Sequence, residues 1–288
     1  MSRIILTGST GNIGKYLSKY LKAANADFIA GVTTLSSQIE YKKQGIHAKI
    51  FSFEDRSSLR SLFENGDRLF LLNPLVEQMH DYIDNALEAA KESGIRFVLR
   101  NSGFGADANS AVLLNKLQGT ADEMVINSGI DYTIARPNSF MQNYAVYYGD
   151  MIKHTNSIFL GHGEGKVSHI DIRNLAELYS QILINPDEYS ETIYDLTGDE
   201  AISNYEIADI ISECTSKKIT YIPISDDEGI EGMKKAGIPA WNIAVLTSMN
   251  QMIRDNAAAE ITSTYKNLTG QSTISFNQFA SEHSGVWK

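Results

Sequence analysis

Gly8, Gly11 and Gly14 recur every third residue within the stretch RIILTGSTGNIGK, Arg3 to Lys15. Glycines at that spacing suit the cradling of a phosphate. Gly8 permits a tight turn, Gly11 lets the backbone approach a pyrophosphate, and Gly14 lets the helix pack close to the sheet. The chemistry requires a buried strand before the turn and a helix after it. Ile4, Ile5 and Leu6 form the short apolar run of such a strand, and Ile13, Tyr16, Leu17, Tyr20 and Leu21 fall at helical spacing. The free N–H groups and positive dipole end of that helix then face an anion. Gly8, Thr10, Gly11, Asn12, Ile13 and Gly14 are the expected turn of a dinucleotide site.

Further candidates sit at the ends of later apolar runs. A second strand, Asp27 to Thr33, ends where a dinucleotide fold states its cofactor preference. An acidic residue there binds the ribose hydroxyls of NAD, and an arginine takes the 2′-phosphate of NADP. This chain offers Thr33 and Thr34, followed by Ser36 and Ser37, so the choice between NAD and NADP stays open. Lys42 and Lys43 could supply charge, although a solvated helix face is the plainer place for them. The fourth run, Arg68 to Leu72, closes on Asn73 and Pro74, either beside the cofactor or as a plain turn. A fifth ends in Asn101-Ser102-Gly103-Phe104-Gly105, which places Ser102 by the cofactor and Gly103 and Phe104 by a substrate. The sixth ends in Arg136 to Tyr144, RPNSFMQNY, where Pro137 stops the strand. There Pro137, Asn138, Phe140 and Met141 combine apolar surface with directed amides, the composition of a small-molecule pocket. The alternative is a connecting segment packed beneath a second domain.

Strands alternate with helices throughout the first half of the chain. Helices Tyr82 to Ser93 and Thr120 to Ser128 each end at Ser-Gly and run through an isoleucine into a strand. That alternation predicts an α/β fold, a Rossmann-type doubly wound parallel sheet over residues 1–140. Residues 141–288 form a smaller, mostly helical substrate-binding region, partly interleaved with the first. Within it, Val167 to Ile170 is a short strand, Asp171 caps a helix from Ile172 to Ile184, and Ser203 to Glu206 is a capping box. Met233, Trp241, Met249 and Met252 fall at helical spacing, as core or as a pocket lining. His162 and His169 share no metal-ligand spacing, so no metal is expected.

TGSTGNIG, RNSGF, SGIDYTIARPNSFMQN and VSHIDIRNLAEL together resemble the NmrA-like group of atypical short-chain dehydrogenase/reductases. The resemblance spans nearly the whole chain, and RPNSFMQN is its most specific part. It implies a Rossmann domain with a small C-terminal substrate domain, and NADP(H) as the commoner cofactor. The group holds quinone and dye reductases as well as a regulator. Two positions depart from its pattern: Thr33 stands where a basic residue is common, and Ser52 where an acidic residue often lies near the adenine.

Ordinary short-chain dehydrogenases and nucleotide-sugar epimerases pair a tyrosine with a lysine four residues on, so that the lysine lowers the tyrosine pKa for proton transfer. No tyrosine of this chain meets a lysine at that spacing. The segment LLNKLQGTADEM, where that helix belongs, carries Lys116 and, nearby, Gln118. Lys116 and Asn138 are the catalytic candidates, each against a structural alternative: a solvated lysine and a packing amide.

The 288 residues carry 25 basic and 35 acidic side chains, a net charge of −10, which argues against nucleic-acid binding. One cysteine, Cys214, lies in an apolar helical pattern and is expected to be buried. Without a disulfide framework, a leader pattern or a membrane-length apolar run, a cytoplasmic protein is expected. The leading function is an NAD(P)H-dependent oxidoreductase reducing a quinone-like or other small apolar acceptor held between Pro137–Tyr144 and the C-terminal domain. A quinone accepts hydride with little acid catalysis, so the missing tyrosine is tolerable. The alternatives are a non-catalytic redox sensor with a protein partner, and a nucleotide-sugar epimerase.

Overall fold

A computed structural model describes residues 3–288. The chain opens with β1 (Ile4–Leu6), α1 (Asn12–Ala23), β2 (Phe28–Val32), α2 (Leu35–Lys43), β3 (Ala48–Ile50), α3 (Arg56–Phe63), β4 (Arg68–Leu71), α4 (Met79–Glu92), β5 (Phe97–Asn101), α5 (Leu113–Ile126) and β6 (Asp131–Pro137). It continues through α6 (Asn143–Val146), α7 (Gly149–Thr155), β7 (Ser157–Leu160), β8 (Lys166–Val167), α8 (Ile172–Ile184), β9 (Thr192–Leu196), β10 (Ile202–Ser203) and α9 (Asn204–Thr215). The last elements are β11 (Thr220–Pro223), α10 (Asp226–Lys235), α11 (Ala240–Arg254), α12 (Thr264–Thr269) and α13 (Phe276–His283).

By its contacts the described chain forms two compact units, one of residues 3–108, 117–136 and 175–194, the other of residues 109–116, 137–174 and 195–288. Segments 109–116 and 175–194 therefore lie across a boundary drawn at residue 140.

The expected Rossmann-type α/β sheet is present. Seven strands run in the order β3-β2-β1-β4-β5-β6-β9, and β1 pairs in parallel with both β2 and β4. The strand order reverses between β1 and β4, and that reversal opens the crevice where such sheets take ligands. The central strands are buried on both faces, which explains their unbroken apolar runs. Ile5, Ile29, Leu69 and Val98 of the sheet pack with Leu59, Leu62 and Phe63 of α3 and Ile83 and Leu87 of α4. Gly94 and Gly129, each just past a helix, adopt positive φ of 77° and 78°, the left-handed cap expected of them.

The second unit has its own core, in which Met141, Tyr144, Ile158, Ile207, Ile211, Phe276, Phe279 and Trp287 meet. Ser203 closes the expected capping box with Glu206, and Asp171 Oδ1 accepts the Arg173 N–H at 2.8 Å. Three local expectations need correction. The strand foreseen over Val167–Ile170 is reduced to β8 plus an isolated bridge from Phe140 to Ile170, because the Ser168 N–H donates to Ala258 O and its carbonyl accepts the Gly198 N–H. Cys214 is half-buried at the edge of the core rather than enclosed. Finally, α5 starts at Leu113, seven residues before Thr120, with Gly119 inside it. A Cβ at Gly119 would overlap the backbone of Asp107 and Ala108, so the loop after β5 lies directly on the helix there. No helix among the described residues is long and apolar enough to cross a membrane.

Candidate functional site

The glycine turn is built from β1 outward. Thr7, fully buried, donates its hydroxyl to Phe70 O and accepts the Leu72 N–H, both at 2.9 Å, tying the ends of β1 and β4 where the strand order reverses. Gly8 turns with φ +64°, a conformation that L side chains rarely adopt. Ser9 donates to Gly31 O at 2.6 Å, and the buried Tyr41 hydroxyl donates to Ser9 O, fixing the turn to β2 and α2. Burial raises the Tyr41 hydroxyl above its ordinary pKa, so it stays a neutral donor.

Gly11 is the N-cap of α1, extended and exposed, with no side-chain capping bond and no acidic residue in the first turn. The first helical bond shown runs from Lys15 N to Gly11 O, which leaves the N–H groups of Asn12, Ile13 and Gly14 without a helical acceptor. A Cβ on Gly14 would overlap Gly8 O and Ser9 Cα. Gly14 thus lets α1 close on its own turn, a nearer neighbour than the sheet.

Thr33 and Thr34 are exposed at the end of β2. Thr34 caps α2 by accepting the Ser37 N–H at 3.2 Å, and its hydroxyl lies 3.0 Å from Ser36 Oγ and 2.9 Å from Ser37 Oγ. Lys42 and Lys43 are exposed at the far end of α2, about 12 Å along the helix from Thr34 at 1.5 Å per residue. They belong to the solvated face.

The ends of β4 and β5 meet around a side chain absent from the expected set. Arg100, on β5, is wholly buried, and its Nε donates to Asp122 Oδ1 of α5 at 2.8 Å. Arg136 Nε donates to the other oxygen, Oδ2, also at 2.8 Å. Arg100 spreads its remaining donors over two amides, Asn73 Oδ1 at 3.3 Å and Gln118 Oε1 at 2.6 Å. Burial pulls the Arg100 pKa down and the charge of Asp122 opposes that pull. Asn73 donates in turn to Pro74 O at 3.0 Å, so this expected cofactor pair is held from the sheet side. An arginine inside the apolar run FVLRN, with Asp122 and Arg136 downstream, was the available signal; spacing alone did not show which strand would meet which helix.

Ser102 is buried and its hydroxyl has no hydrogen-bond partner. Gly103 and Phe104 follow, half-buried, and a Cβ on Gly103 would meet only Gln118 Cγ, at 3.6 Å. All the expected cofactor residues, together with Gly103 and Phe104, belong to the first unit. The uncapped turn at Gly11 and the orphaned Ser102 hydroxyl fit a dinucleotide.

The other expected substrate residues belong to the second unit. Asn138 is buried and its amide is fully engaged: it donates to Ser168 Oγ and Ala258 O and accepts the Ser139 N–H, each at 2.8 Å. It fastens the segment after β6, the packing alternative. Pro137 is buried, Phe140 half-buried, and Met141 lies in the core. Lys116 is exposed on α5. Met233, Trp241, Met249 and Met252 are half-buried, and none lines the 470 Å³ groove formed by Ile230, Ala240, Ile243, Ala244 and Thr247 of α10 and α11. Among the described residues no cluster of three or more His, Cys, Asp or Glu could hold a metal ion.

The chain matches the NmrA-like family over residues 1–272. It belongs to that family. It is 26% identical to the NAD(P)H azoreductase of Xenophilus azovorans over 284 residues, 99% of each chain. The Escherichia coli quinone oxidoreductase QOR2 complexed with NADPH superposes with a TM-score of 0.87 at 22% identity, over 97% of this chain and 99% of that one. The triphenylmethane reductase of Citrobacter sp. gives a TM-score of 0.87 at 19% identity, over 99% and 100%.

Proposed function

We propose that this chain is an NAD(P)H-dependent reductase of quinone-like or other small apolar acceptors. The observation that carries the reading is the turn at Gly8–Gly14, with uncapped N–H groups beside a glycine that has no side chain to exclude a pyrophosphate. The full-length relationship to an NAD(P)H azoreductase supports it.

Gly11 and the N–H groups of Asn12, Ile13 and Gly14 hold the pyrophosphate, favoured by the helix dipole. Thr33 and Thr34 meet the adenosine ribose, and Asn73, Pro74 and Ser102 line the opposite half of the crevice. The bound cofactor supplies a hydride. The acceptor gains that hydride and one proton from water, so a quinone leaves as the hydroquinone. No tyrosine stands on α5 and its one lysine is exposed, so no side chain there is built as a proton shuttle. Quinones tolerate that absence because the reduced oxygen is a stable anion in need of little acid catalysis. Sugar epimerisation does not.

The test is a titration of purified protein with NADPH and NADH, followed by a small naphthoquinone and an azo dye. Binding followed by consumption of the reduced cofactor is expected. Binding with no consumption across both acceptor classes overturns the reading in favour of a sensor.

A further inference from the structure

A guanidinium carries only hydrogen-bond donors. Arg100 Nη2 lies 2.6 Å from the Gln118 amide, and that amide must therefore face it with Oε1. The Nε2 group, with two donor hydrogens, is turned the other way. Arg100 is itself immobilised by Asp122 and by burial, so the orientation of Gln118 is set from inside the sheet. The Cγ of Gln118 borders Gly103, whose missing side chain leaves space with no other atom within 4 Å of a Cβ. Ser102, one residue before Gly103, carries a buried and unpartnered hydroxyl.

Arg100, Ser102 and Gly103 sit at the carboxyl end of β5 and Asn73 at that of β4, on the far side of the reversal from β2 and β3, and Gln118 of α5 meets them through Arg100. With the adenosine half over β2 and β3, that side takes the half of the dinucleotide that bears the hydride. We propose that Gln118 Nε2 is the hydrogen-bond donor to the carbonyl oxygen of the acceptor, and that Arg100 is the residue that positions it. The proposal rests on the reductase reading above and deepens it. As hydride reaches the acceptor, negative charge gathers on that oxygen, and a fixed amide donor gains strength at that moment without reorganising. An amide does not release its proton near neutral pH. Gln118 thus stabilises the charge, and water supplies the one proton that completes the hydroquinone. Such a site serves acceptors whose reduced anion is stable and fails those that require a proton in the transition state.

The decisive variant is Gln118→Glu, which still accepts from Arg100 and keeps the side-chain shape but has no donor. With a naphthoquinone, kcat/KM is expected to fall about a hundredfold, the scale of losing one such donor, while the NADPH Kd stays within about twofold. Independently of turnover, the carbonyl stretch of a quinone bound with NADP⁺ is expected to return towards its free position in Gln118→Glu. Arg100→Lys tests the positioning role: added to Gln118→Glu it should cause no further loss in kcat, because the two residues act as one unit. A Gln118→Glu enzyme with wild-type kcat/KM and an unshifted carbonyl band overturns the proposal. A loss of NADPH affinity equal to the loss in kcat/KM assigns the donor to the nicotinamide amide and also overturns it. Wild-type protein that never consumes NADPH overturns the reductase reading itself, a result distinct from either.

Discussion

At Gly11 the fold and the ligand make separable demands. Its backbone is extended (φ −72°, ψ 177°), which any residue adopts, and a Cβ would meet only Gly8 O, at 3.2 Å. Gly11→Ala should therefore fold, shifting the melting temperature by no more than about 2 °C for a cap change of about 0.5 kcal/mol. It should still lose NADPH affinity at least about tenfold, because the methyl group occupies the pyrophosphate's approach. Unchanged affinity in a fluorescence titration would make the turn purely structural. Asp122 shows the opposite case, a residue with no expected role in the sequence on which two arginines depend. Asp122→Ala strands the buried Arg100 charge, and urea unfolding should report a loss of about 3–5 kcal/mol.

At the scale of elements, α5 joins structure to chemistry. Its glycine looks like a weakness, since replacing an interior helical glycine with alanine ordinarily stabilises by up to about 1 kcal/mol. Here the loop after β5 occupies the space of that methyl, against the backbone of Asp107 and Ala108. Gly119→Ala should therefore lower the thermal midpoint rather than raise it, as followed by circular dichroism. A rise would mean that the loop is not seated on the helix. The same close approach explains why α5 begins earlier than its sequence pattern indicates: Gly119 interrupts a periodicity whose reason lies in a loop more than ten residues earlier.

For the molecule as a whole, two buried imidazoles tie stability to pH. Burial lowers His162 to about 4, with Arg254 adding to the effect and Asp226 opposing it. Burial and the neighbouring His162 lower His169 to about 3. Unfolding releases both to about 6.5, so below that pH the unfolded chain binds the extra protons. Their contribution is complete above about pH 6.5 and is lost as the pH falls towards 4 for His162 and 3 for His169. The slope is about 1.4 kcal/mol per pH unit for each. Urea midpoints between pH 7.5 and 5 should fall accordingly, and His162→Gln should flatten part of the slope. An unchanged midpoint across that window would mean that neither ring is held neutral.

The sequence by itself determined the strand–turn–helix at Gly8–Gly14, the parallel alternation around it, the Ser203 capping box and the left-handed glycine caps. Each of these is local: a run, a spacing or a backbone angle sufficed, and no distant residue had to be known. It also determined that Tyr-x-x-x-Lys is missing. Only the tertiary structure decided that Asn138 spends its amide on Ser168 and Ala258, and that Arg100 gathers Asn73 from the end of β4 and Gln118 and Asp122 from α5. A buried charge is compensated by whichever partners the fold brings within about 3 Å, and strand register, not sequence separation, chooses them.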